Sequence, residues 1–155
     1  MGGATYLNQL WSVSFDNHIN ALAVAPDDTL YVAFQPSSTI PDYGVWAFDV
    51  SSQPDPSNPK GHLAMPWPVA DIAVSGDYLV GTGGGHILFI DRFGMQLLTR
   101  PDGSLPILSS SDTVTASSSG TRLFAPQSGQ GEIGVYTPKA KLSGGTPPSQ
   151  SVSGP

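Results

Sequence analysis

The chain has 155 residues, 39% of them hydrophobic, and a formal net charge of −6, which suffices for one core of ordinary size. Its six Lys and Arg are scattered at 60, 92, 100, 122, 139 and 141, and this argues against nucleic acid and anionic membrane as partners, because both need clustered cations. With no cysteine there is no disulfide scaffold and no thiolate metal site, and no apolar run approaches the roughly 18 residues of a membrane span.

Only 12% of the residues are charged, about half the usual share. A surface so lean in charge is covered by Ser, Thr, Asn, Gln and Gly, and it fits an extracellular or virion-like assembly better than a solvated cytosolic enzyme. The opening "MGGATYLNQL" has neither a basic region nor a continuous apolar core, so it is not read as a Sec signal peptide. Tyr6 also stands where myristoylation requires Ser or Thr.

Fifteen prolines and eighteen glycines punctuate the chain too often for helices, and the segments between them run four to eight residues with β-branched or alternating character. An all-β chain follows. In chain order, residues 6–15 come first, where Trp11, Val13 and Phe15 alternate with Ser12, Ser14 and Asp16, the pattern of a strand with one buried face. "INALAVAPDDTLYVAF" (19–34) is then a strand, a polar turn and a second strand, and "GVWAFDV" (44–50) is a third. "GHLAM" (61–65) is an outer strand, and an outer strand is expected to precede each triplet, "LWSVSF" (10–15) before the first. The set recurs as "VADIAVSGDYLVGT" (69–82), "HILFIDRF" (86–93) and "MQLLTR" (95–100), and again as "DTVTASSSGTRLFAPQ" (112–127) and "EIGVYT" (132–137).

The register from Leu22 to Ile72 is 50 residues and from Ile72 to Val114 is 42. Four-stranded units at such periods resemble the blades of a β-propeller of the broad WD-repeat, kelch and quinoprotein-like group, over roughly residues 6–137. The expected fold is therefore three four-stranded antiparallel blades, a half-propeller, with a sandwich or barrel of about twelve strands as the competing arrangement. The blades fall at about 16–65, 66–100 and 101–137. Small residues (Ala21, Ala23, Ala25, Ala70, Ala73) suit inner strands near an axis, while Trp46, Phe48, Ile87, Phe89 and Tyr136 fill the space between blades. Leu22, Trp46, Phe48, Ile72 and Phe89 are expected to be buried there. The resemblance is to an architecture, because the "GH…WD" pair is absent and "GGG" occurs once, so no family's functional residues carry over.

Propellers close with about four to eight blades, so three leave two faces and their edges open, and either the chain is a fragment of a longer propeller or copies complete one another. The last triplet, 112–137, lacks an outer strand, and the tail 138–155 reads as a Gly/Pro/Ser-rich linker. The expectation is that residues 6–15, through Trp11, Val13 and Phe15, complete the third blade of another copy. Two copies would then make a closed ring of six blades, and a rotation that does not close would make a head-to-tail filament.

The chemistry is sparse. His18, His62 and His86 fall in separate contexts with no i,i+4 pairing, and "DPSNP" (55–59) lacks the acidic ladder of a calcium loop. Most of the eleven aspartates sit in turns, where Asp bonds its own backbone. "GTGGGH" does not run from a strand into a helix and is read as a tight strand connection. No G-x-S-x-G elbow is present. No enzyme activity, cofactor or metal is expected. The function read from the sequence is a self-assembling structural or interaction protein, with other assembly proteins as further partners. The alternative is a glycan- or peptide-binding module that uses one loop face carrying Asp16, Asn17, His18, Tyr43, Trp67, His86 and Gln127.

Overall fold

The computed structural model describes residues 9–36, 43–99, 113–117, 119, 122–127, 132–136 and 151–153. Among these, twelve strands make three four-stranded antiparallel sheets. The first blade is β1 (Ile19–Val24), β2 (Thr29–Phe34), β3 (Tyr43–Asp49) and β4 (Gly61–Met65), hydrogen-bonded in chain order. The second is β5 (Asp71–Ser75), β6 (Tyr78–Gly83), β7 (His86–Asp91) and β8 (Gln96–Leu98), again in chain order. The third is β9 (Thr115–Ala116), β10 (Leu123–Gln127), β11 (Glu132–Tyr136) and β12 (Ser151–Ser153). These are propeller blades, each built from consecutive strands and stacked face to face; they form neither a closed barrel nor a two-sheet sandwich.

Strand pairing follows from short turns that leave the hydrophobic alternation in register. Gly83 pairs with His86, so only Gly84 and Gly85 connect β6 to β7. Both take positive φ, 58° and 78°, a conformation that suits a two-residue hairpin and that glycine enters without a Cβ penalty. In β1 the register shifts between Ile19 and Ala21, and from there Ala21, Ala23 and Val24 run opposite Ala33, Tyr31 and Leu30.

The core is laid down between blades. Calling the face of a blade that looks toward the next blade its back, the back of blade 1 presents Ala21, Ala25, Tyr31, Ala33, Val45 and Ala47. Against it lies the front of blade 2, with Ile72, Leu79, Leu88 and Ile90. The back of blade 2 presents Val80, Ile87 and Phe89 to Val114, Leu123 and Ala125 of blade 3. Because both faces of the second blade are covered, β6 and β7 read as almost unbroken buried runs. Small alanines on the inner strand let the sheets approach closely near the axis, and bulkier side chains fill the space farther out.

Polar ties hold the blades in register. Arg92 donates from Nη1 to Asp27 Oδ2 at 2.7 Å and from Nε to the Gly76 carbonyl at 2.8 Å, joining the turn of blade 1 to two turns of blade 2. The Tyr31 hydroxyl donates back to the Arg92 carbonyl at 3.3 Å. At the other end of the strands, Asn20 Nδ2 donates to the Val69 carbonyl at 3.1 Å. Asp71 Oδ2 accepts the Val114 backbone N–H at 2.8 Å, which ties blade 2 to blade 3.

Three expectations change. Each outer strand follows its triplet, and the third blade has one: residues 151–153, within the segment whose composition reads as linker, pair with Gly134, Val135 and Tyr136. Backbone hydrogen bonding to an open edge suffices for this, since the pairing asks little of the side chains. Residues 10–15 form no strand, and residues 6–8 lie outside the described set; Phe15 instead lays its ring on Phe34 and Phe48 of blade 1, with centroids 5.0 and 5.3 Å away. Leu22 is 56% exposed, because it lies on the front of blade 1, which no other blade covers among the described residues. Phe89 and Ile72 are buried between blades as expected; Phe48 is buried on the front of blade 1, under Phe15 and not between blades, and Trp46 on the same face is half-buried. The loops 35–43 and 51–60 leave opposite ends of the strands; residues 37–42 of the first lie outside the described set.

Phe89 stands in the interface of blades 2 and 3, so Phe89→Ala is expected to cost about 3–5 kcal/mol in denaturant unfolding, by the lost transfer energy and the cavity left behind.

Candidate interaction surfaces

The register places the start of β1, the end of β2, the start of β3 and the end of β4 at one end of the first blade, and the second blade repeats the arrangement. Most of the residues expected on a binding face do converge on this end, but few of them are free. Asp16 and His18 are exposed. Asn17 is only 8% exposed and donates from Nδ2 to the Gln35 carbonyl at 2.8 Å, so it fastens the entry of β1 to the exit of β2. Tyr43 is half-buried against the core between blades 1 and 2. Gln127 is the last residue of β10 and pairs with Glu132 of β11.

Trp67 and His86 form a distinct cluster. The indole of Trp67, in the connection from β4 to β5, lies on the bare backbone of Gly83 and Gly84; a methyl group on Gly84 would meet its ring carbons at 3.0 Å. A methyl on Gly83 would run into the Pro68 carbonyl oxygen. The "GGG" run is therefore both a hairpin turn and a seat for an aromatic ring. The His86 ring sits 5.8 Å from that of Trp67. Trp67 Nε1 and His86 Nδ1 are buried and find no hydrogen-bond partner among the described residues, a state that costs free energy unless a ligand or water meets it. Nothing in the spacing of Trp67 and Gly83 along the sequence indicates their contact.

At the opposite end, the inner hairpins of the three blades frame an open cleft of about 320 Å³, lined by Val24, Val74, Gly76, Asp77, Arg92 and Ser117, among others. The Asp27 carboxylate stands beside it. Its hydrogen bond to Arg92 holds it below the ordinary carboxylate range.

The front of blade 1 is the third surface. Val32, Phe34 and Phe48 form its buried floor, and Phe15, Leu30 and Trp46 pack onto them. Beside Phe15 is a cleft of about 200 Å³ that also touches Asp16, Asn17, Trp46 and Pro56. Leu22 and Val24, on the inner strand of the same face, are 56% and 61% exposed. Trp11 is 38% exposed, and Val13 is half-buried. The Ser12 carbonyl accepts a hydrogen bond from Gln53 Nε2 at 3.3 Å. Sequence alternation singled out Trp11, Val13 and Phe15 as an apolar stripe, but the cover that Phe15 gives to Phe34 and Phe48 required the fold.

Stacked four-stranded blades joined by apolar faces define a β-propeller module. Among solved structures the chain is similar to the hydrazine synthase of Kuenenia stuttgartiensis, with a TM-score of 0.57 at 18% identity over 86% of this chain and 36% of that one. It is also similar to the glutaminyl cyclase of Myxococcus xanthus, with a TM-score of 0.50 at 11% identity over 78% of this chain and 48% of that one. A weaker likeness, TM-score 0.47 at 11% identity, is to the β-propeller domain of Cps50 (Swd1) from Myceliophteria thermophila, over 87% of this chain and 57% of that domain. The chain thus spans between 36% and 57% of the structures it resembles, and the likeness is one of fold. No protein-family model and no curated protein matches the chain.

Two outcomes are expected in solution. Gly83→Ala should destabilise by about 1–3 kcal/mol in thermal or denaturant unfolding, because the added methyl overpacks against Pro68 and Trp67. For the Asp27–Arg92 pair the folded carboxyl is depressed, so its stabilisation is present at neutral pH and is lost as pH falls through the folded value, below about pH 4. With the Asp27 side chain 43% exposed, the effect is about 0.5 kcal/mol or less. It shows as the difference in pH dependence between wild type and Asp27→Asn.

Proposed function

We propose that the chain is a non-catalytic β-propeller module that works by self-association, with the front of blade 1 as its docking surface. The observation that carries this reading is a repeat of position. The shift of 50 residues that brings Leu22 onto Ile72 also brings Val13 and Phe15 onto Leu63 and Met65. Leu63 and Met65, on the outer strand of blade 1, pack over the front of blade 2. Phe15 packs over the front of blade 1 in the same way. Residues 11–15 thus occupy the seat of an outer strand belonging to a blade that would precede blade 1, and they do so with no ladder partner among the described residues.

The exposure pattern supports the same reading. Ile72, in the interface of blades 1 and 2, is 4% exposed, whereas its counterpart Leu22 is 56% exposed. The remaining space on the front of blade 1 fits the inner and middle strands of a further blade. Contiguous apolar surface of this kind marks an association site or an aggregation hazard. The surface that fits a blade front in this chain is another blade of the same chain, and a second copy therefore has the required shape.

A second reading, a glycan or peptide site around Trp67 and His86, draws on the two buried nitrogens that lack partners. Array binding that survives in the wild type and is lost in Trp67→Phe, which keeps a ring but removes the N–H, would favour it.

For self-association, sedimentation across a range of concentrations should show the wild type above its 16.1 kDa monomer mass. Leu22→Asp should return it to the monomer while changing monomer stability by no more than about 0.5 kcal/mol, since Leu22 is exposed. A wild type that stays monomeric throughout would remove the reading.

A further inference from the structure

We infer that the surface that meets the front of blade 1 is the back of blade 3 of a second copy, so that copies join head to tail. This rests on the docking role proposed for blade 1 and adds the complementary surface, which that role leaves open. In the chain itself, every blade front that is covered by a sheet is covered by the back of the blade before it: the front of blade 2 by blade 1, and that of blade 3 by blade 2. Two blade faces have no sheet against them among the described residues, the front of blade 1 and the back of blade 3.

The back of blade 3 is apolar. Register pairs Phe124 with Val135 and Pro126 with Ile133, so these four side chains share one face, opposite to Leu123 and Ala125, which are buried against blade 2. Ile133 is 62% exposed and Pro126 is exposed, while Phe124 and Val135 are half-buried. Ile133 also lies on the part of β11 that β12 leaves unpaired, since β12 pairs only with Gly134, Val135 and Tyr136. Within the chain the inner strands of neighbouring blades lie against each other, β1 against β5 and β5 against β9, and Thr115, which pairs with Phe124, is exposed on the inner strand of this back face. Leu22 and Val24 at one end of the stack and Thr115, with Ile133 farther out, at the other are then the two halves of one contact, seen on separate molecules.

A front-to-front contact would be isologous and would match large side chains against large ones, Leu22, Val24 and Trp46 facing their own copies. Head to tail, they meet the face type they meet within the chain. The absence of cysteine makes the test direct, because each variant carries a single thiol. Leu22→Cys and Thr115→Cys chains are mixed in equal amounts and oxidised, and the disulfide-linked peptides are mapped by mass spectrometry. The expected product is the mixed 22–115 disulfide. In parallel, Ile133→Asp should weaken association about tenfold or more, as Leu22→Asp does, by removing one large apolar side chain from the contact. A predominance of the 22–22 disulfide, or association that Ile133→Asp leaves unchanged while Leu22→Asp abolishes it, overturns the head-to-tail contact without touching the role of blade 1. A wild type that does not associate removes that role itself.

Discussion

Everything in this molecule depends on sheets that are apolar on both faces. A four-stranded antiparallel sheet with one wet face can stand against a single layer, but β6 and β7 bury side chains of both parities, so the second blade is stable only between two neighbours. Stacking is therefore a condition of folding, and the polar ties serve it. Arg92 fixes the turns of blades 1 and 2 relative to each other, and Asp71 fixes the backbone of blade 3 against blade 2. Neither tie contributes much energy in the open; their role is to select one way of laying one sheet on the next.

The same condition explains the unusual N-terminal segment. A blade front rich in Phe34, Trp46 and Phe48 cannot be left bare, and the chain sets Phe15 on it. The tilted contacts of Phe15 with Phe34 and Phe48, and the edge-on contact of Phe34 with Trp46, are arrangements that aromatic rings favour. This cover reaches the middle strands and stops short of Leu22 and Val24, which is why these two side chains of the inner strand stay exposed on the front of blade 1.

Much of the blade pattern was legible in the sequence, because short turns and alternation are local signals. The hairpins 19–34 and 69–82, the third strands beginning near 44 and 86, and the small inner-strand alanines all appear where the periods place them. What periods do not reveal is which faces find a neighbour. Leu22 and Ile72 are equivalent by position and opposite in burial, because one has a blade in front of it and the other does not. Residues 151–153 were illegible for a different reason: a Ser-Val-Ser segment joins a sheet through its backbone, and composition registers side chains. The seat of Trp67 on Gly83 and Gly84 was hidden because it joins two connections that are close only after the sheet has formed.

The outer strands carry a consequence of their own. β8 and β12 have three residues each, whereas the middle strands of their blades have five or six. A short rim strand offers few free N–H and C=O groups in a row, and so gives a poor template for a stranger's strand to extend the sheet sideways. Growth by edge pairing, the route toward amyloid-like sheets, is thereby discouraged at the rims of blades 2 and 3, while the five-residue β4 gives blade 1 a longer rim strand. At those two rims, strand length disfavours contact through edges.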